Sequence, residues 1–427
     1  MYKILNVKVD GFWHRCTAET SFNDEVNVII GQNGTGKTTF MNILHSVLAV
    51  DVDGISNNDF ESIEIQLIHG RKRKTVKARK IEDERFPFVF VEYQISRNKY
   101  KVRLITSDDR RMAMAYRRKS QEESSEVRKV LGGLVSLSSI SVYRLRNDDE
   151  YEIRDKHGSR LISPVDYRLR EVLRGLTHYQ LSISQDARSI ATKLQKDVLT
   201  SILYSEEDAE QKGYQIDFDK DKEKTKLVTA YSQLNAIDAD VRKKISFHVN
   251  AIDESLSALA HEMESSRKDN SDLKSAPDAF RSLEALRKTR KIIELSLEAE
   301  RDTNKVFAQL QLFLSIVKSF IKDKDFSFKF GDLSISNKQG EIDYGRLSSG
   351  EKQLLILLSE ALLQDQKPHI FLADEPELSL HIEWQRKIIP AVRELNPNAQ
   401  VIAATHSPEV AAHYKDFLMD MGEIVRG

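Results

Sequence analysis

Eight residues constrain this chain more than any others. Gly31-Gln32-Asn33-Gly34-Thr35-Gly36-Lys37-Thr38 fits the pattern G-x-x-x-x-G-K-[ST] in full. Before it, "NVIIG" supplies an apolar strand; after it, "KTTFMNILHSVLAV" carries apolar residues at helical spacing. A strand, a glycine turn and a helix N-terminus let backbone N–H groups curl round phosphate oxygens without obstruction by Cβ atoms. Lys37 adds a charge for the β and γ phosphates, Thr38 a hydroxyl for Mg²⁺, and the helix its dipole. Gly31, Asn33, Gly34, Thr35, Gly36, Lys37, Thr38 and Thr39 are therefore the expected ATP contacts. The plainer alternative, a glycine turn before a helix, does not need the whole pattern.

A second element lies far downstream in "HIFLADEPELSL". Ile370 to Ala373 reads as a buried strand that delivers Asp374 and Glu375 at its end. Asp374 suits Mg²⁺, directly or from one shell out, and Glu375 suits a general base that polarises an attacking water. Alone, such a strand end reads equally as solvated; the phosphate loop upstream favours the site.

Three further stretches follow in a telling order: "LSSGEKQLLILLSEALL" (347–363), "EPELSLH" (375–381) and "ATHSPEV" (404–410). Together with the phosphate loop they resemble the ABC-type ATPases of the SMC-like and OLD-like group. The likeness covers about the first 45 and last 85 residues. Singly, "LSSGEKQ" reads as a helix cap and His406 as a satisfied strand-end histidine. The resemblance implies an α/β fold, the ABC-type P-loop ATPase head, with a mixed sheet, an antiparallel β layer and flanking helices. It also implies a composite site in which two heads dock face to face. Each ATP would lie between one phosphate loop and the other chain's signature, Ser348, Ser349 and Gly350. His406 would sense the γ-phosphate, Ser379 would face the partner head, and Lys37, Glu375 and His406 would form the catalytic set. A monomer would then be a poor ATPase. Arg15, in "GFWHRC", stands where related ATPases carry a basic residue near the nucleotide, and reads equally as a turn arginine. Gln66 and Gln94 are the candidates for the family's Q-loop glutamine.

Between these ends, "IEIQLIHG", "FVFVEYQIS" and "KYKVRLIT" alternate as strands of an antiparallel layer. Residues 106–226 are mixed in pattern, and 205–226 read as an exposed polar connection. Leu234, Ile237, Val241, Ile245, Val249, Ile252, Leu256, Leu259 and Met263 keep to one face of a helix. A polar run over 265–277 breaks it, and a second helix from Pro277 to about Ile321 would be roughly 65 Å long. An inserted antiparallel α-helical hairpin is the expectation, its apolar stripe packing on its own partner helix or making an oligomer contact. The expected organisation is an N-terminal lobe (1–180), a helical insertion (181–325) and a C-terminal lobe (326–427).

With 65 basic and 66 acidic residues the net charge is −1, so any polyanion-binding signal must be local. Residues 71–119 supply one, with 17 Lys/Arg against 6 Asp/Glu. That suits DNA or an acidic phage protein that mimics it, or else a solvated β layer facing its own acids. Phe86, Phe88, Phe90 and Tyr93 fall near alternate positions and read as core. A lone cysteine, Cys16, excludes an internal disulfide and suits a reducing compartment. No secretory signal and no membrane-length apolar run is present, which implies a soluble, cytoplasmic protein that engages no membrane. The cluster Asp217–Asp221 fails as a calcium loop, because Lys222 and Val228 stand at its sixth and twelfth positions.

The segment between Gly31 and Leu347 is too long for a simple transporter subunit, and the hairpin too short for a DNA-entrapping ring. Compact SMC-like ATPases remain: recombination mediators, and ATPase subunits of OLD-like and PARIS-type anti-phage systems. No Toprim nuclease domain fits after His406, so a separate Toprim-type nuclease effector is expected. The chain would form a homo-oligomer, at least a head-to-head dimer, that restrains this effector until infection is sensed. The alternative is a repair ATPase acting as an ATP-gated clamp on DNA.

Overall fold

Strand β1 (Lys3–Phe12) pairs antiparallel with β2 (Cys16–Ser21), and β3 (Val26–Ile30) leads through the phosphate loop into α1 (Lys37–Ala49). The coordinates are a computed structural model that describes residues 1–86, 88–105, 114–139, 151–155, 158–201, 218–234, 236–266 and 276–427. After α2 (Val52–Asn57) come β4 (Ser62–His69), β5 (Lys72–Ile81), β6 (Phe90–Ile95) and β7 (Asn98–Arg103). Next are α3 (Met114–Gly132), β8 (Leu137–Ser139) and a hairpin of β9 (Tyr151–Asp155) and β10 (Gly158–Ile162). Among the described residues the helices that follow are α4 (Pro164–Ser201), α5 (Lys220–Gln233), α6 (Ala239–Ser266) and α7 (Ala276–Phe320). Then come β11 (Asp325–Lys329), β12 (Asp332–Asn337), β13 (Gly340–Glu341), α8 (Ser349–Leu363), β14 (His369–Asp374) and α9 (Ile382–Leu395). Last are β15 (Ala399–Ala404), α10 (Pro408–Ala411), β16 (Leu418–Asp420), α11 (Met421–Ile424) and β17 (Val425–Arg426).

Two sheets position the site. One is antiparallel, in the order β17-β2-β1-β4-β5-β6-β7; the other is parallel, in the order β16-β3-β15-β14-β8. On β4, Ile63, Ile65 and Leu67 point inward while Glu64 and Gln66 are only half-buried, the alternation of a sheet with one wet face. Strands β14 and β15 are buried at every residue, as parallel strands covered on both faces are. Between the sheets, Phe12, Ile29, Phe40, Leu44, Val47, Ile370 and Ile402 join one core around α1. Gln400 stitches the two sheets together: its amide donates to the Ile4 carbonyl (2.7 Å) and its oxygen accepts from the Ile4 N–H (2.8 Å).

Contacts divide the chain into two units, Met1–Tyr179 with Leu310–Gly427, and Gln180–Gln309; the division falls inside α4 and α7. In the second unit the structure corrects two expectations. The polar connection stops sooner, because Asp219 caps α5 by accepting from the N–H groups of Asp221 (3.1 Å) and Lys222 (3.0 Å). Of the rest of that stretch, residues 205–217 lie outside the described residues. The helix expected from Leu234 is interrupted: Leu234 ends α5, and Asp238 opens α6 by accepting from the Val241 N–H at 2.7 Å. Ile245 and Val249 of the stripe pack with Leu227 and Ile293, so the apolar face meets its own helices. Glu223 is buried in a bidentate pair with Arg290 (2.8 and 2.6 Å), which holds its carboxyl below the usual range. Helix α7 matches its expected span within a residue at each end. Among the described residues no helix is long and apolar enough to cross a membrane.

Candidate functional site

Strand β3 ends at Ile30, and the loop closes at Gly36, which caps α1 with φ +97° and no side-chain bond. A Cβ at Gly36 would lie 2.9 Å from the Phe12 ring and 3.0 Å from the Trp13 indole, so this residue must be small as well as left-handed. The N–H groups of the first helical turn are thereby left for an anion. Thr35 closes the turn by donating to the Gln32 carbonyl (2.9 Å); Asn33 is exposed and Thr39 half-buried in the first turn.

Lys37 is only 4% exposed. Its Nζ donates to the carbonyls of Gly31 (2.8 Å) and Gln32 (3.1 Å) and stands 3.4 Å from His406 Nδ1. Burial pulls its pKa below the usual lysine range, and Glu375, Asp374, Glu377 and Asp420 pull the other way. The Thr38 hydroxyl donates to Asp374 Oδ1 at 3.3 Å. A hydroxyl and one carboxylate are hard oxygen donors of the kind Mg²⁺ uses alongside substrate phosphates. Among the described residues no cluster of three or more His, Cys, Asp or Glu could hold a metal unaided. The pair therefore fits a magnesium ion that arrives with a nucleotide.

Parallel pairing brings the last members in. Strand β15 lies between β3 and β14, so the ends of all three strands meet at the phosphate loop. Glu375 adopts φ +49°, rare for a residue with a Cβ, and its N–H donates to the Ala404 carbonyl at 2.7 Å. Its carboxylate stands 3.9 Å from His406 Nε2. Lys37, Thr38, Asp374, Glu375 and His406 are thus gathered in one place.

The signature residues lie elsewhere on the same chain. Ser348 caps α8 in a capping box with Glu351: its hydroxyl accepts from the Glu351 N–H (3.3 Å), and Glu351 Oε2 accepts from the Ser348 N–H (2.9 Å). Lys324 holds the other Glu351 oxygen at 2.6 Å. Ser348 and Ser349 are exposed, while Gly350 is buried against the D-loop. A Cβ at Gly350 would lie 2.4 Å from the Ser379 carbonyl oxygen, and Ser379 itself sits at φ +64°. Arg15 is exposed in the β1–β2 turn, whose Phe12 and Trp13 face Gly36. Gln66 and Gln94 stand within the antiparallel sheet, where Gln94 donates to the Ser96 carbonyl.

Sequence reasoning missed two residues. Trp13 lies against the phosphate loop, for which an aromatic residue in a turn is a faint signal. Glu377, the last acid of "DEPE", accepts at Oε1 from the Thr405 hydroxyl and from the N–H groups of His406 (3.1 Å) and Ser407 (3.2 Å). No spacing rule points to it.

The basic region meets acids of its own. Lys77 pairs with Glu64 (2.7 Å), Lys99 with Glu92 (3.2 Å), Arg85 with Asp83 (2.9 Å) and Arg103 with Glu123. Phe88, Phe90 and Tyr93 are buried as expected, but Phe86 is 38% exposed, its ring tilted against Phe88 and edge-on to Phe90. Residues 87 and 106–113 of this region lie outside the described residues.

A buried ammonium group answered by two carbonyls and a histidine nitrogen, beside a hydroxyl–carboxylate pair at a parallel strand end, accommodates a polyphosphate and its magnesium. Together with the strand–glycine loop–helix unit it defines a P-loop nucleotide site in a mixed α/β fold. The chain belongs to the family of the AAA ATPase domain, which it matches over residues 2–411. It is 34% identical to the Septu protein PtuA of Bacillus thuringiensis over 93 residues, 18% of this chain and 23% of that protein. To the retron Vc95 probable ATPase of Vibrio cholerae serotype O1 biovar El Tor it is 30% identical over 125 residues, 26% and 24% of the two chains. The retron Ec83 probable ATPase of Escherichia coli is 34% identical over 90 residues, 18% and 17%. The chain thus spans about a quarter or less of the length of these relatives. Among solved structures, the Smc head domain of Pyrococcus furiosus, bound to the C-terminal domain of ScpA, has a TM-score of 0.43 and 13% identity over 96% of this chain and 92% of that one. The SMC head domain of Thermotoga maritima has a TM-score of 0.39 and 13% identity over 98% and 94%.

Proposed function

We propose that this chain is the ATP-binding and hydrolysing subunit of a cytoplasmic anti-phage complex, organised like AriA, the ATPase of PARIS systems. The observation that carries the proposal is the gathering of Lys37, Thr38, Asp374, Glu375 and His406, with Ser348 and Ser349 exposed at the start of α8. The likeness to a Septu protein and two retron ATPases supports the defence setting. Lys37 and the loop N–H groups bind the β and γ phosphates. Thr38 and Asp374 would hold Mg²⁺, which neutralises phosphate charge when bound. Glu375 takes a proton from the attacking water, and His406 donates to the γ-phosphate. Ser348, Ser349 and Gly350 of a second head complete the site from the N-terminus of their helix, whose dipole favours the anion. Leu378 and Ile382, 46% and 53% exposed beside Ser379, are an apolar rim suited to that second head. Assembly on ATP would restrain a separate Toprim-type nuclease until a phage protein or DNA is sensed, the cations of residues 71–119 being the candidate sensor.

The test is to weigh the Glu375→Gln chain with and without ATP, alone and with its genomic neighbour. ATP should double the mass of the chain alone and retain the neighbour. A purified chain that degrades DNA or tRNA by itself, with the activity surviving loss of Lys37, would sink the reading. Tight duplex binding that strengthens with ATP and falls steeply with salt would favour a DNA clamp instead.

A further inference from the structure

Glu377 has no part in the mechanism above, yet its carboxylate is the anchor of the loop that carries the switch histidine. We infer that Glu377 is the positioning residue that sets His406 against Lys37 and Glu375; this rests on the ATPase reading. Strand β15 loses its ladder after Thr405, whose N–H donates to the Ile29 carbonyl at 3.0 Å. The next two N–H groups, of His406 and Ser407, both reach Glu377 Oε1, at 3.1 and 3.2 Å; the Ser407 N–H is shared with the Thr405 hydroxyl oxygen (2.9 Å), and that hydroxyl itself donates to Glu377 Oε1. Three donors on one charged oxygen make a stronger hold than neutral acceptors give. The other oxygen, Oε2, is buried without a hydrogen-bond partner among the described residues. The switch loop is therefore what the carboxylate holds.

Glu377 is itself held from both sides. Glu375 and Ser379 flank it in left-handed conformations, at φ +49° and +64°. The Leu378 N–H donates to the Glu375 carbonyl (3.0 Å) and the Leu380 N–H to the Glu377 carbonyl (2.9 Å), which folds the D-loop into successive turns. Strained non-glycine residues persist only where their surroundings over-determine them. Gln385 adds a second tie, accepting from the Ser407 hydroxyl (2.7 Å) and donating to the Leu380 carbonyl (3.0 Å). Glu377 cannot itself be the general base in this arrangement, because Oε1 is occupied by the loop donors and Oε2 is closed off. Its effect must pass through His406.

The experiment compares Glu377→Ala and Glu377→Gln with the parent, each with and without His406→Ala. Nucleotide affinity should stay within about threefold in Glu377→Ala, while kcat falls about 10- to 100-fold, the cost of a misplaced catalytic group. Glu377→Gln keeps an acceptor oxygen and should recover most of the loss. In the His406→Ala background Glu377→Ala should cost little more, since both changes remove one effect. Losses that multiply, or an unchanged kcat in Glu377→Ala, would overturn the inference. A second measurement needs no turnover: amide exchange at His406 in the nucleotide-free chain should quicken in Glu377→Ala and not in Glu377→Gln. Unchanged exchange also overturns the inference. Quickened exchange in a chain whose parent hydrolyses no ATP would leave the anchor standing and remove the ATPase reading instead.

Discussion

Lys37 carries its charge to a place that water scarcely reaches, and the carbonyls and carboxylates around it compensate it only in part. Burying an ammonium group without full compensation costs stability. Lys37→Met should therefore raise the melting temperature of the nucleotide-free protein while weakening ATP binding by about 2–5 kcal/mol, the loss typical of breaking a buried charge contact. Calorimetric titration and a thermal melt check both halves. His369 is a second buried ionisable group, bonded at Nε2 to the Ser138 hydroxyl (2.9 Å), and burial lowers its pKa to about 4. Unfolded, it titrates near the ordinary histidine value of about 6.5. Between those values the unfolded chain binds the extra proton, so stability is lost as pH falls from about 6.5 towards 4. About 2 kcal/mol should be gone by about pH 5, and His369→Gln should flatten that limb of a urea-denaturation series. At this scale the site was legible where chemistry demands fixed spacing, as in the phosphate loop and the Asp-Glu strand end. Glu377 was not, because its contacts are to residues far along the chain.

Helices were legible where the sequence marks their ends. Helix α7 is such a case, opened by Pro277 after a polar run. Helix α4 was left within a stretch read as mixed, although its buried Leu169, Val172, Leu176 and Ile183 recur at helical spacing. The stripe from Leu234 misled as well: the apolar period continues past Leu234, but Leu234 closes one helix and the capping carboxylate of Asp238 starts another. The signature helix α8 illustrates a packing limit. Gly350→Ala puts a methyl group 2.4 Å from a backbone oxygen that no side-chain rotation can move aside. Overpacking of this kind costs about 1–3 kcal/mol. The variant should keep ATP affinity, since the phosphate loop is untouched, yet melt lower and hydrolyse ATP at a small fraction of the parent rate.

For the whole molecule, the decisive question is whether one head suffices. If Ser348 and Gly350 serve a second chain, a mixture of Lys37→Met and Ser348→Arg chains should regain activity that neither has alone, because one composite site per mixed dimer stays intact. Hydrolysis assayed across mixing ratios should peak near equal amounts. No recovery in verified mixed dimers would mean the site is completed within one chain. Sequence could not reveal which strands become neighbours, since pairing depends on long-range registers such as Ile29 with Ala404.

That pairing has a consequence for how the protein is made. Strand β3, which carries the phosphate loop, has β15 on one side and β16 on the other, and both come from beyond residue 398. A ribosome adding about 5–20 residues per second needs tens of seconds to travel from one to the other. Through that interval the nucleotide loop is present as sequence but has no parallel sheet to hold it. Ligand binding by the nascent chain, and any assembly that depends on it, must wait until the residues of β15 and β16 have been made.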